Sequence, residues 1–79
     1  MDKATQKNKI LAFCEKYGSI TVRDAFEMLN INSPTKRISE LRASGQYNVE
    51  VFEEKSVNSL GETVRYNRYV IRKRAVENG

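Results

Sequence analysis

Around Gly45 the hydrophobic pattern of this chain changes period, and no other feature limits its fold so tightly. Before it, apolar residues recur at i, i+3, i+4 and i+7, which lines one face of an α-helix; after it they alternate, which lines one face of a strand. A chain of 79 residues has room for a single core, so two domains are excluded and the helical and extended parts must cover each other. Helices followed by strands in one unit define an α+β architecture.

The helical part divides into three. Ile10, Phe13, Cys14 and Tyr17 share one face of a first helix, expected from about Thr5 to Tyr17, with Gly18 placed for a left-handed cap. Ser19-Ile20 reads as a short extended connector. Thr21 then caps a second helix of about two turns, whose apolar stripe is Val22, Ala25, Phe26 and Leu29. Asn30-Ile31-Asn32 is a tight polar turn with one buried anchor. Ser33-Pro34 supplies an N-cap followed by proline at the first helical position, where a missing N–H costs nothing. Ile38 and Leu41 form the inward stripe of this third helix, which Gly45 ends.

The alternating part predicts a β-hairpin, with strands near Asn48 to Lys55 and Val64 to Ile71 and a tip at Asn58-Ser59-Leu60-Gly61. Both strands carry apolar residues on both faces; the reading adopted sets Val49 and Val51 against Tyr69 and Ile71 on the core side. A two-stranded ribbon is marginal alone and must lean on the helices. Only Met1 to Ala4 and a basic, flexible tail over residues 72–79 look loose. Three short helices followed by a two-stranded hairpin describe a winged helix-turn-helix over residues 5–71.

Several functions are disfavoured by what the chain lacks. With no histidine and one cysteine, Cys14, it has no internal disulfide, no Cys/His zinc set and no histidine-based triad, so neither a metal nor a cofactor is expected. Glu53 and Glu54 are adjacent, and adjacent strand residues point to opposite faces, so they cannot share a substrate. No phosphate-cradling glycine loop occurs, and Cys14 sits on an apolar stripe as a core residue rather than a nucleophile. The chain is therefore not expected to be an enzyme. Its longest apolar run, Ile10 to Cys14, is too short for a signal-peptide core or a membrane span, and a cytoplasmic location without membrane contact is the expectation.

Charge supplies the positive clue. Fourteen Lys and Arg against ten Asp and Glu give +4, with most of the excess before Gly45 and in the run Arg72-Lys73-Arg74. Such a balance suits a polyanionic partner. With Ile38 and Leu41 inward, Lys36, Ser39, Glu40 and Ala43 project outward from the third helix, with Thr35 and Arg37 on the flanks. Small Ser39 and Ala43 allow close approach, Lys36 can donate to phosphate or guanine, and Ser33 and Thr35 stand at a helix N-terminus that attracts phosphate. Glu40 either accepts from cytosine or pairs with Lys36, and pairing is the favoured reading. Arg37 and Arg42 either contact DNA or bind Asp24 or Glu27 of the second helix. The hairpin adds Lys55, Arg65 and Arg68, with Tyr66 and Tyr69 interleaved. The expected DNA-binding set is thus Ser33, Thr35, Lys36, Arg37, Ser39, Arg42, Arg65 and Arg68.

A resemblance points the same way. Gly18-Ser19-Ile20-Thr21, Asp24-Ala25, Arg37-Ile38-Ser39-Glu40-Leu41-Arg42 followed by Gly45, and Arg68-Tyr69-Val70-Ile71 resemble a family of small helix-turn-helix domains found in bacteriophage and prophage genomes. The likeness spans about Ile10 to Ile71, and its strongest piece is Arg-Ile-x-x-Leu-Arg-x-x-Gly. It departs at Gln46-Tyr47-Asn48-Val49, one residue longer than the family's approach to its first strand. The resemblance implies a winged helix that binds double-stranded DNA as a small regulator. Two other readings stay open: an excisionase-like architectural factor that self-associates on DNA, and a winged helix whose partner is a protein.

Overall fold

The computed structural model describes residues 2–74. The elements run α1 (Lys3–Tyr17), β1 (Ile20–Thr21), α2 (Val22–Leu29), α3 (Pro34–Ala43), β2 (Tyr47–Val57) and β3 (Thr63–Lys73). Each helix boundary has a local cause. Asp2 caps α1 by accepting the Thr5 N–H at 2.7 Å, and these bonds to Thr5 hold its carboxyl below the usual range. At the other end Gly18, with φ of 88°, donates its N–H to the Cys14 carbonyl at 2.7 Å. Thr21 and Asp24 form a reciprocal capping box at the start of α2. Asn30 ends that helix in the left-handed region, φ 55°.

The start of α3 differs from expectation in one respect. Pro34 does occupy the first turn, but the Ser33 side chain makes no capping bond. With φ −131° and ψ 67°, Ser33 lies outside the extended conformation that aims an N-cap side chain at the first turn, and its contribution is the carbonyl that accepts from the Arg37 N–H at 3.2 Å.

The sheet has three strands in the order β1-β3-β2, not the two of a simple hairpin. The connector Ser19-Ile20 is extended as expected, yet it also pairs: Ile20 lies opposite Tyr69 and Thr21 opposite Arg68. Both long strands outrun their expected limits. Arg72 and Lys73, expected in a flexible tail, pair with Asn48 and Tyr47, and the Arg74 N–H reaches the Gln46 carbonyl at 2.8 Å. Their side chains are exposed, so hydropathy marks them as loose while backbone pairing holds them. Residues 75–79 of that expected tail lie outside the described residues. Lys3 and Ala4, also expected to be loose, belong to the first turn of α1.

Every element except β2 supplies a buried residue to one core: Ile10 and Cys14 from α1, Ile20 from β1, Ala25 from α2, Ile31 from the turn, Ile38 and Leu41 from α3, and Tyr69 and Ile71 from β3. Val49 faces Ile71 and Val51 faces Tyr69, the expected parity, but only Val49 packs on the core. Val51 is exposed. Burial pushes the Cys14 thiol above its ordinary value. Three expected stripe residues lie outside: Tyr17, whose ring rests against Phe13 at 4.6 Å between centroids, Val22 at the start of α2, and Phe26, 58% exposed. Ile31 replaces Phe26 inside because its N–H bonds to the Ala25 carbonyl at 3.0 Å, folding the residue after α2 back under it. The molecule is elongated, 53 × 29 × 21 Å. Among the described residues no helix is long and apolar enough to cross a membrane.

Candidate nucleic-acid interface

The packing of α3 decides which of its side chains are on display. Pro34, Arg37, Ile38 and Leu41 are buried, an i, i+3, i+4, i+7 set that makes the inward stripe one residue wider on its N-terminal side than apolarity alone marks. Ser33, Thr35, Lys36, Ser39, Arg42 and Ala43 are exposed. Lys36 and Arg42 make no ion pair with any described residue; for Arg42 this removes the alternative of a tie to Asp24 or Glu27.

Arg37 must be withdrawn from the display set. It is 5% exposed, and its Nε lies 3.1 Å from Oε1 of Glu40, an oxygen also 3.4 Å from Lys7 Nζ on α1. The guanidinium thus ties α3 to itself and, through Glu40, to α1, with its aliphatic stem in the core. The favoured Lys36–Glu40 pairing is corrected by the same contact. Nor do the acids of α2 serve Arg37, since Asp24 is occupied by the capping box and Glu27 by Arg23 at 3.1 Å.

A cleft of about 740 Å³ opens between the start of α2, the start of α3 and the outer part of β3, and Arg23, Thr35, Arg65, Tyr66 and Arg68 are among its lining residues. It brings together one expected residue of α3 and both expected arginines of the hairpin. Those arginines are not equivalent. Arg65 is exposed and lies opposite Lys55 with no acidic partner among the described residues. Arg68 lies on the other face of the strand, where its Nε donates to Glu54 and its Nη1 donates to Ser19 Oγ at 3.0 Å. The hydrogen bond to Glu54 raises the Arg68 pKa above its ordinary value. Arg68 therefore fastens β2 and the β1 connector to β3 and is only partly available to a ligand.

Ser33, Lys36, Ser39 and Arg42 do not line the cleft; they continue the exposed surface along α3. Arg23 is the cleft residue that sequence reasoning missed. Its signal was available: it is the second residue of a helix whose capping threonine was recognised, so it had to stand at that helix's exposed end. Tyr69, by contrast, is buried and packs in the core. Among the described residues no group of three His, Cys, Asp or Glu side chains could hold a metal ion.

Compared with known proteins, the chain matches a family model described as a winged helix-turn-helix domain over residues 5–74. No curated protein and no solved structure gives a significant match.

Proposed function

The chain belongs to the winged helix-turn-helix domain family, and from that premise we propose that it binds double-stranded DNA, with α3 in the major groove and the hairpin as a second contact. One observation carries the reading: Thr35 at the start of α3 and Arg65 of the wing, which has no acidic partner among the described residues, line one open cleft from which the exposed face of α3 continues, so a single duplex can meet both. Lys36 and Ser39 read base edges; Ser33, Thr35, Arg42 and Arg65 orient the protein on phosphates. In keeping with the resemblance noted above, the role proposed is that of a small phage or prophage transcriptional regulator in the cytoplasm, without catalytic activity of its own.

The test is anisotropy of a labelled duplex over a salt series, followed by selection from a random DNA pool. If about four to six phosphates are neutralised, log K against log salt slopes roughly −4 to −5. On the selected site Lys36→Ala with Ser39→Ala costs about 1–3 kcal/mol per base contact and much less on unrelated DNA, whereas Arg65→Ala weakens both alike and lowers the slope by about one. A flat salt dependence, or no retention in dilute buffer, refutes DNA binding. One observation favours a second reading, docking to a protein: Phe26 and Met28 on α2 and Tyr17 on α1 are exposed apolar side chains outside the DNA-facing elements.

A further inference from the structure

β2 is an edge strand: the sheet order β1-β3-β2 leaves its outer side without a described strand. Which backbone groups that edge offers follows from the pairing. The Arg74 N–H bonds to the Gln46 carbonyl and the Asn58 N–H to the Glu62 carbonyl, so the even-numbered residues of β2 bond inward to β3 through an unbroken register. The N–H and C=O groups of Val51, Glu53, Lys55 and Val57 therefore point outward. A free edge is a template for another strand, and proteins usually blunt it with proline, a bulge or charge. Residues 51–57 contain no proline, and the constant register leaves no bulge. Charge alone guards this edge, so its arrangement decides what the edge accepts.

Glu53 and Lys55 share one face of β2, are exposed, and make no ion pair with any described residue. Lys55 also lies directly opposite Arg65, an adverse pair within the ribbon. Two copies of one strand pair antiparallel about a twofold axis normal to the sheet, which passes between one residue and its own copy. With the axis at Glu54, Glu53 of each copy lies opposite Lys55 of the other, and Val51 opposite Val57, which are 43% and 69% exposed in the single chain. The outward N–H and C=O groups of these four residues then bond to one another. On the other face Phe52 lies opposite Ser56, and Glu54 meets its copy with its charge already offset by Arg68. Neighbouring registers lose this match: an axis at Phe52 sets Glu50 against Glu54, and an axis at Glu53 or Lys55 sets a charge against itself. The free residues 63–67 of β3 offer no equivalent, because their one charge is Arg65. The outer ribbon, residues 52–68, balances three acidic residues against three basic ones, so its net charge does not oppose a second copy.

We propose that two copies of this chain join edge to edge through β2, antiparallel over residues 51–57 with the twofold axis at Glu54. The two ribbons become one four-stranded sheet with the helical bodies at opposite ends. Each copy supplies the acid that answers the Lys55–Arg65 rung of the other. So short a seam is a small interface, below the roughly 1,000 Å² of a durable contact, and the dimer is weak and concentration-dependent. This pairing needs no DNA, and neither does its test, so it stands or falls apart from the DNA-binding reading.

Sedimentation equilibrium of the DNA-free protein, from about 10 μM to about 1 mM, is expected to show an average mass rising from the 9.1 kDa of one chain toward twice that. Glu53→Lys and Lys55→Glu each set like charges at both cross-strand positions and weaken association roughly tenfold. Both changes in one chain exchange the signs and restore it. In a Cys14→Ala background, Glu54→Cys forms a disulfide-linked dimer under mild oxidation, because residues at the axis face each other with Cα atoms about 4.5 Å apart. Ser56→Cys in the same background does not, since its copy stands well along the strand. A parent that stays monomeric at the highest concentration overturns the proposal. So does a double reversal that associates no better than the single ones, or a Ser56→Cys chain that crosslinks in preference to Glu54→Cys, because either places the contact elsewhere.

Discussion

The inner and outer halves of the same two strands behave as different materials. From Tyr69 to Lys73 β3 lies under the helices, buries Tyr69 and Ile71 and takes Val49 as a neighbour; from Phe52 round the tip to Arg68 no residue is buried. The backbone pairing is continuous through both. Hydrogen bonds alone thus form the ribbon's regular structure, while apolar burial, which supplies most of the stability, is confined to the body. The body therefore carries the packing that folds the domain, and the wing is exposed surface. Arg68 marks the joint, holding β2 through Glu54 and the β1 connector through Ser19.

The sharpest way to break this comparison is to remove equal volumes from the two regions. Ile31→Ala, at a fully buried site, is expected to cost about 2–5 kcal/mol in denaturant unfolding, a large share of the stability of so small a domain, whereas Leu60→Ala at the tip changes it by about 0.5 kcal/mol or less. Comparable losses at both sites would show that the wing is packed against something in the free protein.

A smaller effect tests whether Arg37, the one buried cation among the described residues, belongs to the body or to the proposed DNA surface. Arg37→Ala strands the Glu40 carboxylate, with Lys7 as its remaining partner, and is expected to cost about 2–3 kcal/mol, less than for a fully buried pair because Glu40 and Lys7 are partly exposed. Arg37→Met keeps the stem and is expected to recover most of that stability, while the salt slope for DNA matches the parent. A slope lowered by one in Arg37→Met would return Arg37 to the DNA-contact set.

The smallest effect concerns Cys14. Its folded-state pKa is raised by burial, so the unfolded chain deprotonates first; the thiol's contribution is fully present below the ordinary thiol pKa and is lost as pH rises beyond it toward the folded value. Unfolding free energy measured up the alkaline range should decline more steeply for the parent than for Cys14→Ala. Identical slopes, or rapid alkylation of the native protein, would mean that the α1 face of the core is open to water.

What could be read in advance was whatever depends on near neighbours. Gly18, Thr21 with Asp24, and Pro34 act within a turn of themselves, and all three helices begin or end where those residues stand. The alternation after Gly45 specified a hairpin for the same reason, whereas its parity, with apolar residues on both faces, was a choice between two, and the pairing of Val49 with Ile71 and of Val51 with Tyr69 agrees with the one adopted. Six of the eight expected DNA-facing side chains are exposed, Arg68 is half-buried and Arg37 is buried, and the two exceptions share a cause. Each is held by a contact that the tertiary packing selected: Arg68 by Glu54 across the hairpin and Ser19 beside β1, Arg37 by its helical neighbour Glu40 at i+3, which Lys7 of α1 helps to position.

By itself, then, the sequence determined the end of α1, the starts of α2 and α3, the change of period and most of the outer face of α3, because these follow from interactions within a few residues. Only the tertiary structure decided that Ile20 and Thr21 would become a third strand, that Phe26 would yield its core place to Ile31, and which arginines would be left facing solvent. A two-residue strand has no period to display, and a cation's partner is chosen by which elements meet in space, a choice made by the burial of the core as a whole.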